Sequence, residues 1–304
     1  MKSKIVGIGA CVADTLMSIP YYPKEDTKLR ATASKMAGGG PCATGLVAAA
    51  KLGAKASYIG NLAQDSQGAF LLGDFAKYGV ATDCVSVKDG YRSFSSVIWL
   101  SEDSSSRTCV FDKGNLPPTE LDEKALSAIK DASLLMVDGN DLSAAIKAAE
   151  YARGCGTTVL YDCGGLYEGV GALLALTDIM IPSEEFALGH TGEKTVADAA
   201  KKLYEMYSPK VVVVTEGKRG GTLYDGKNVT RYPIYPAKVV DSNGSGDVFH
   251  GAFAFALTKG YSYEQCCHFS SATSAIKCMG VGARESVPSF ETVIKYLKEN
   301  GYEL

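Results

Sequence analysis

Short runs of β-branched and other apolar residues alternate with alanine-rich segments of helical period along most of this 304-residue chain. The strand-like runs are KIVGIGA, ASYIGNLA, SLLMVDG, TTVLYDCG, DIMIPS and KVVVVTEG. The helical segments include PCATGLVAAAKLGA and SQGAFLLGDFAKYG, which end near Gly53 and Gly79, as helices commonly do. Strands that alternate with helices of about 10–15 residues are typical of βαβ units and of a parallel sheet covered on both faces. The sequence therefore predicts an α/β fold, a three-layer α/β/α sandwich with a mostly parallel central sheet.

Two stretches, 11–37 and 91–115, break this rhythm, because both are strand-like without a helical partner. In the second stretch, SSVIWL and RTCVF flank the polar SEDSSS, which is the pattern of a hairpin. We expect the two stretches to pair into a small antiparallel sheet, inserted in a single domain that spans 1–304. A sheet with exposed apolar residues such as Ile98 and Trp99 needs a cover, which a ligand, a second subunit or both would supply.

The composition argues against several classes of partner. A formal net charge of −3 disfavours nucleic acid and anionic membrane surfaces, which need clustered Lys and Arg. No apolar run approaches the roughly 18–20 residues of a membrane span. The nine Cys residues include no C-x-x-C pair, and with only three His residues they do not favour a zinc site. We expect these thiols to be small buried hydrophobes of a cytoplasmic protein.

Glycines and one acid near the N-terminus suggest a ligand site. Gly7 and Gly9 lack the third glycine of a dinucleotide fingerprint, so a nicotinamide site is disfavoured. Asp14 follows the first strand, where ligands of an open α/β sheet bind, and its carboxylate suits the hydroxyls of a polyol. The GGGPCATG run, 38–45, allows a ligand to approach the backbone at a helix N-terminus. The alternatives are a simple turn at Asp14 and a tight loop that binds nothing.

The stretch VVDSNGSGDVFHGAFAFAL, 239–257, places an acid at the mouth of a long apolar run. Its first two residues are typical of a strand, and the apolar run is typical of a helix that begins near Asp247. The backbone N–H groups of Gly244–Gly246 would then form a hole for phosphate oxygens at a helix N-terminus. A carboxylate in that first turn is placed to accept a hydroxyl proton during phosphoryl transfer. The alternative, an acid stabilised only by the helix dipole, does not account for the surrounding glycines.

The DSNGSGD run and its helix resemble the C-terminal signature of the ribokinase (PfkB-type) carbohydrate kinases, D-T-x-G-A-G-D, with Ser242 for Thr and Ser245 for Ala. GGGPCATGLVAAAKLGAKASYIGNLAQDSQG is similar to the family's N-terminal signature, and VVVTEGKRGGTLYDG and CMGVGARESVP resemble its nucleotide-side segments. The resemblance runs from about residue 3 to about residue 290. The combination of GGGPCAT, DVFHGAF and AIKC resembles the ketohexokinase and sulfofructose-kinase-like branch more than ribokinase itself, which has Lys where Pro41 stands.

The resemblance implies an ATP-dependent kinase that transfers the γ-phosphoryl group to a hydroxyl, by preference a primary one, of a ketose or related sugar derivative. It implies Asp247 as the general base. The anion hole is then formed by Gly244, Ser245 and Gly246. The expected sugar contacts are Asp14, Gly39, Gly40 and Thr44, and the expected nucleotide contacts are Ser183, Thr215, Gly217 and Gly220. ATP and Mg²⁺ are the expected cofactors.

One motif departs from the family pattern. In IPSEEFA, Ser183 occupies the Asn place and Phe186 the Glu place of the N-x-x-E motif that organises magnesium. Glu184 and Glu185 are left as candidates, and Glu184 is expected to hold Mg²⁺ through water. The resemblance also places Asp241 near a loop for a monovalent cation, K⁺, if this member has one.

Several alternatives stay open. An anionic sugar derivative would be met by the basic residues in or near the small sheet, which otherwise form a solvated face: Lys28, Arg30, Lys35, Arg107 and Lys113. A nucleoside kinase would need an aromatic platform such as Phe94, Trp99 or Phe111. A non-catalytic sugar or nucleotide sensor would keep the binding loops without a need for the catalytic acid. The resemblance also implies that the small sheet is a lid over the sugar and the contact surface of a homodimer.

Overall fold

The structure is a computed structural model that describes residues 4–104 and 106–304. Its strands are β1 Lys4–Ile8, β2 Val12–Ile19, β3 Ala33–Gly39, β4 Lys55–Ala63, β5 Ala81–Lys88, β6 Ser95–Ser101, β7 Arg107–Asp112, β8 Leu134–Val137, β9 Thr158–Cys163, β10 Ile179–Pro182, β11 Val211–Thr215, β12 Gly221–Tyr224 and β13 Val229–Tyr232. Its helices are α1 Pro41–Lys51, α2 Ser66–Lys77, α3 Glu123–Lys130, α4 Leu142–Cys155, α5 Val170–Leu174, α6 Glu184–Thr191, α7 Val196–Tyr207, α8 Ser245–Thr258, α9 Tyr263–Cys278 and α10 Phe290–Glu299.

The larger sheet has nine strands in the order β13-β12-β11-β10-β9-β8-β1-β4-β5. All pairs from β5 through to β11 are parallel, and β12 and β13 are added antiparallel at one edge. The parallel strands are continuous apolar runs, as in 211–214, where every residue is fully buried because both faces of the sheet are covered. The predicted mostly parallel sheet is confirmed.

Alternate residues of the central strands face opposite hydrophobic layers. Ile5 packs in the cluster that contains Leu46 of α1 and Phe253 of α8. Its neighbour Val6 packs in the second cluster, which contains Ala145 of α4. Because successive side chains of a strand point to opposite faces, the sheet lies between two helical layers. The predicted three-layer sandwich is therefore confirmed.

The small sheet joins the two inserted stretches in the order β3-β2-β6-β7. The β2–β3 and β6–β7 pairs are antiparallel, but β2 pairs with β6 in parallel, with Ala13 opposite Ser95. The expectation of a wholly antiparallel sheet is therefore wrong at its centre. The physical reason is that β1 leads into β2 and β5 leads towards β6, so both strands leave the main sheet from its carboxyl edge in the same direction. We call this four-stranded sheet the lid.

The apolar side chains of the lid are distributed differently from the prediction. Ile98 is only 5% exposed, because the strand pleat turns it toward the interior. Trp99 is half-buried and its ring centroid lies 6.5 Å from that of Tyr22. The expectation that Ile98 is exposed is thus wrong. The apolar side chains that do face outward include Val97 and Val110, which are 38% and 62% exposed.

Two expectations drawn from composition can be compared with the fold. Burial of the thiols holds for Cys11, Cys42, Cys163, Cys266, Cys267 and Cys278. It is wrong for Cys109 and Cys155, which are exposed on the edge strand β7 and in the last turn of α4, and Cys84 is only half-buried. Within the described part of the chain, no helix combines the length and apolar character needed to span a membrane.

Candidate active site

Among the described residues, no side chain caps the N-terminus of α8. Gly244 precedes the helix with φ 71°, a left-handed conformation that favours glycine, and a Cβ at this position would stand 2.5 Å from that of Ala283. The N–H of Ser245 donates to the Ser242 carbonyl at 3.2 Å. Gly246 and Asp247 follow in the first turn, where backbone N–H groups have no carbonyl of the same helix to bond, so this helix end favours an anion.

The loop that leads into α8 is held by hydrogen bonds to Cys278 and Gly282 at and after the end of α9 and by one within the loop. Val239 and Val240 are exposed and form no strand, contrary to the prediction, because this segment runs along the surface after the edge strand β13. Asp241 is 8% exposed, and its carboxylate accepts the N–H groups of Asn243 and Gly282, both at 2.8 Å. Both carboxylate oxygens of Asp241 therefore already bind backbone.

The sugar-side residues predicted from the sequence lie where β2 and β3 approach α1. Asp14 of β2 is 7% exposed and accepts a hydrogen bond of 2.6 Å from Ser96 Oγ. A Cβ at Gly39 would overlap the Asp14 carboxylate, and Gly40 has φ 91°, so this loop needs both glycines. Burial raises the pKa of Asp14 to about 6, against the opposing effects of the Ser96 hydrogen bond and of Arg284.

A cavity of about 180 Å³ brings the two sequence motifs together. Its wall includes Asp14 and Gly39–Gly40 on one side and Gly244 and Asp247 on the other. Ile98 and the aromatic residues Phe94 and Phe111 of the lid segment line it as well. We call it the small cavity. It places Asp14 and Asp247 on the same partly open space, which is smaller than the roughly 300 Å³ and more of the sites of drug-sized ligands.

A much larger groove of about 910 Å³ lies on the other side of the α8 N-terminus. Its lining includes the predicted nucleotide residues Thr215, Gly217 and Gly220, together with Ser245 and Gly246. Gly217 and Gly220 both have positive φ, and a Cβ at Gly220 would overlap the Tyr232 carbonyl oxygen. Because Gly246 lines this groove and the next residue, Asp247, lines the small cavity, the first turn of α8 is the wall between the two spaces.

Four of the predicted residues do not line either space as the described residues define them: Thr44, Ser183, Glu184 and Asp241. Ser183 is the N-cap of α6 and accepts the Phe186 N–H at 3.1 Å, while Phe186 itself is buried and stacks on His190. Glu184 forms an ion pair with Arg219. The altered N-x-x-E segment therefore caps and packs a helix in this structure.

The structure adds functional candidates that the sequence reasoning missed, and one is Arg284. It is 3% exposed, and its guanidinium donates to Thr44 Oγ1 at 3.3 Å and to the Gly39 carbonyl at 2.6 Å, and pairs with Asp74. Its position within CMGVGARESVP, a segment already compared with the family's late loop, was the one available signal.

Three acids stand at or near the centre of this site: Asp138 and Asp162 are buried, and Asp247 is half-buried. Asp138, directly after β8, accepts the N–H groups of Ala10, Cys42 and Asn140 at 2.8–3.0 Å and so holds the start of α1 against β1. Burial raises the pKa of Asp247; His250 acts to lower it and Asp138 to raise it. Asp162, at the end of β9, lies 3.2 Å from His250. The signal for both acids was the position of a carboxylate at the carboxyl end of a predicted strand.

An α/β/α sandwich with a lid and two spaces that meet at an open helix N-terminus is the architecture of a small-molecule kinase. A family model described as pfkB family carbohydrate kinase matches residues 2–289. The chain therefore belongs to the pfkB family of carbohydrate kinases, and it is an ATP-dependent carbohydrate kinase. The prediction of the family is confirmed, whereas the ketohexokinase and sulfofructose-kinase-like branch stays a prediction.

Individual relatives are similar over nearly the whole chain. The chain is 28% identical to a ribokinase of Arabidopsis thaliana, over 97% of this chain and 81% of that protein. It is also 28% identical to a 5-dehydro-2-deoxygluconokinase of Clostridium beijerinckii, over 99% of this chain and 95% of that protein. The solved structure of Arabidopsis thaliana ribokinase complexed with ribose and ATP superposes with a TM-score of 0.87 at 26% identity, covering 98% of this chain and 99% of the other.

Proposed function

We propose that this kinase transfers the γ-phosphoryl group of ATP to a primary hydroxyl of a ketose or a related sugar derivative, with Asp247 as the general base. The observation that carries the proposal is the position of the first turn of α8, where Gly246 lines the large groove and Asp247 lines the small cavity. A phosphoryl group held at the N–H groups of this turn would stand between a nucleotide in the groove and a sugar in the cavity.

The chain's own residues would act mainly by positioning. Asp14 and the Gly39–Gly40 backbone would hold the sugar, and the open N-terminus of α8 would stabilise the negative charge of the transferred group. Asp247 would accept the proton of the attacking hydroxyl, and its burial, which raises its pKa, brings it closer to the pH at which such a base is most effective. Transfer then needs little covalent chemistry from the protein.

Mg²⁺ would neutralise phosphate charge in such a reaction. One solved structure of the same fold is that of a putative ribokinase II of E. coli in complex with ATP and Mg²⁺, at 20% identity to this chain and with a TM-score of 0.83. Within residues 4–104 and 106–304, no group of three or more His, Cys, Asp or Glu is arranged to hold a metal. Glu184 is already paired with Arg219, so we propose that Mg²⁺ is bound chiefly by the ATP phosphates and water. Both oxygens of the Asp241 carboxylate accept hydrogen bonds from backbone N–H groups. The involvement of K⁺ near this residue stays a prediction.

The lining of the small cavity favours a neutral sugar over an anionic one. The five basic residues considered for an anion do not belong to this lining as described. Lys35 pairs with Glu285, and Lys113 donates to the Asn140 carbonyl. Arg107 lines the large groove instead and donates to Asn243. Lys28 and Arg30 are exposed. The substrate is therefore proposed to be recognised by its hydroxyls.

A nucleoside kinase is the second candidate. It is favoured by the pair of Phe94 and Phe111, whose ring centroids are 5.8 Å apart at the small cavity. Trp99 is not part of this lining. The size of the cavity favours a sugar, since a base would have to extend past the exposed Phe111 ring.

The test is an ATP-depletion screen over ketoses, pentoses, sugar acids, sugar phosphates, sulfosugars and nucleosides. Turnover with a neutral ketose, lost in the Asp247→Asn variant, would support the proposal. Turnover with nucleosides alone would support the second candidate. Binding of a sugar and ATP without any turnover would instead support a sensor.

We further propose that the lid forms the contact of a homodimer and that the protein acts in the cytoplasm. Thr15 of β2 is paired with Met36 of β3 and with Val97 of β6, and Val97 is paired with Val110 of β7. Met36, Val97 and Val110 therefore lie in one row across the lid. All three apolar side chains are exposed, by 46%, 38% and 62%. We call them the outer row. Contiguous exposed apolar residues of this kind mark protein contacts.

A further inference from the structure

His250 is a buried imidazole that the proposed reaction does not use. It lies in α8 three residues after Asp247 and is 5% exposed. Its Nδ1 is 2.6 Å from the carbonyl oxygen of Gly246 in the same helix. Its Nε2 is 2.9 Å from the carbonyl oxygen of Ile181 at the end of β10 and 3.2 Å from Asp162 Oδ1. Both ring nitrogens thus face oxygen atoms of carbonyl or carboxyl groups.

These contacts determine where the protons must be. A backbone carbonyl accepts hydrogen bonds and cannot donate one, so each short contact is a hydrogen bond only if the ring nitrogen carries a proton. A neutral imidazole has one N–H and would direct a lone pair at a carbonyl oxygen on its other side. At 5% exposure little water reaches the ring to relieve that repulsion, which makes an unpaired arrangement costly. The shorter contact of Nε2 is to the Ile181 carbonyl. The Asp162 carboxylate, 3.2 Å from the same nitrogen, adds an electrostatic preference for the protonated ring.

We propose that His250 is a buried imidazolium that donates through both ring nitrogens and so strengthens the anion site at the N-terminus of α8. Asp162 at the end of β9 is its neighbouring carboxylate, and the other acids around this centre are Asp247 and Asp138. The inference rests on the proposed function, because it assigns His250 a part in binding the transferred phosphoryl group.

The link from His250 to the anion site is one peptide group. The Gly246 carbonyl that accepts the Nδ1 proton belongs to the same peptide unit as the N–H of Asp247. A charge-assisted hydrogen bond to the carbonyl polarises the peptide and makes its N–H a stronger donor. That N–H stands in the first turn of α8, where the helix has no internal acceptor for it. His250 is therefore a positioning residue, acting on the anion through the backbone and not by touching it.

The charge has a second effect, on the acids themselves. Burial raises the pKa of Asp162 to about 7, and the charge of His250 opposes this rise, while Asp247 and Asp138 add to it. His250 likewise acts to lower the pKa of Asp247, as do Arg107 and Arg284 more weakly. An imidazolium between these carboxylates thus helps keep Asp247 in the ionised form that a base requires.

The protonation state can be measured without any turnover. The chain has three His residues, so ¹⁵N NMR of the labelled protein gives few imidazole signals, and loss of one set in His250→Gln assigns them. Near neutral pH we expect both nitrogens of His250 to show the shifts of protonated imidazolium. His190 and His268 serve as internal references, since burial lowers the pKa of each and they should appear neutral. A His250 spectrum with one unprotonated nitrogen would overturn the proposal, whatever the substrate of the enzyme.

Kinetics then test the role. We expect His250→Gln to reduce kcat by about 10- to 100-fold, the scale of a hydrogen bond to a charged group, with the KM for sugar nearly unchanged. The matched control is His190→Gln. His190 is a half-buried residue of α6 that is hydrogen-bonded to Tyr207, and its variant should retain the wild-type kcat. Asp162→Asn keeps an acceptor but removes the carboxylate charge, and should shift the His250 ¹⁵N signals toward the neutral form. Normal kcat in a folded His250→Gln variant would contradict the positioning role even if the imidazolium is observed.

Discussion

The Nη2 atom of Arg284 donates a 2.6 Å hydrogen bond to the carbonyl oxygen of Gly39, a residue 245 positions earlier in the chain. Arg284 belongs to the loop whose Gly282 N–H binds Asp241, and Gly39 belongs to the wall of the small cavity. One buried side chain thus joins the loop after α9, which also binds Asp241, to the loop that would hold the sugar. Its pairing with Asp74 compensates the buried charge.

Replacing Arg284 with Met should destabilise the protein by about 3–5 kcal/mol, because Asp74, whose side chain is only 10% exposed, would lose its partner. It should also raise the KM for sugar, since the Gly39 carbonyl loses its donor. Unfolding in urea and steady-state kinetics measure the two effects. Arg92→Gln, which breaks an exposed ion pair with Asp112, is the control and should cost less than about 1 kcal/mol. Equal losses in the two variants would show that Arg284 has no special structural role.

Asp247→Asn should reduce kcat by at least about a hundredfold, the contribution of a positioned general base. Binding of sugar and of ATP should survive, because Asn has nearly the same shape and the groove is untouched. Calorimetric titration checks binding, and a coupled assay checks turnover. A variant with near-normal kcat would refute the assignment of Asp247 as the base.

Glu184→Gln should change kcat and the Mg²⁺ concentration for half-maximal rate by less than about threefold, the scale of an exposed ion pair. The reason is that Glu184 pairs with Arg219 and lies outside both spaces. Titration of activity with MgCl₂ at fixed ATP is the measurement. A tenfold or larger increase in the Mg²⁺ requirement would restore Glu184 as a water-mediated ligand.

Asp14→Asn should stabilise the protein at neutral and higher pH while weakening sugar binding. Burial raises the pKa of Asp14 from 3.8 to about 6, so the folded state binds this proton more tightly than the unfolded state. The stability from Asp14 is therefore complete below about pH 4 and is lost as the pH rises through about 6. The variant should gain about 1–3 kcal/mol above about pH 7 and almost nothing near pH 4. Urea unfolding at the two pH values measures this, and a pH-independent difference would contradict it.

A double variant of the outer row, Val97→Glu with Val110→Glu, should dissociate the proposed homodimer, because burying two carboxylates in an apolar contact is costly. Sedimentation equilibrium of the wild type and the variant is the measurement. Val229→Glu, on the edge strand β13 and 40% exposed, is the control and should leave the assembly unchanged. A monomeric wild-type protein would remove the basis for this contact.

Sequence reasoning succeeded where the property is local or periodic. The apolar runs and the alanine-rich segments between them predicted the parallel sheet and its two helical layers, because side-chain periodicity reflects which face is buried. The glycines of 38–40 and Gly244 were recognisable because few other residues adopt such backbone conformations or allow such close approach. The motif that ends at Asp247 was also recognisable, because all of its residues lie within one run of seven, 241–247.

The contacts that complete the site depend on the tertiary structure alone. The parallel pairing of β2 with β6, the reach of Arg284 to Gly39 and the enclosure of His250 by Ile181 and Asp162 each join segments far apart in the chain. No local pattern encodes them, because they result from how the layers pack. The sequence by itself determined the layered fold and the acid at a helix N-terminus; packing decided which groups are buried beside that acid, and burial sets their charge.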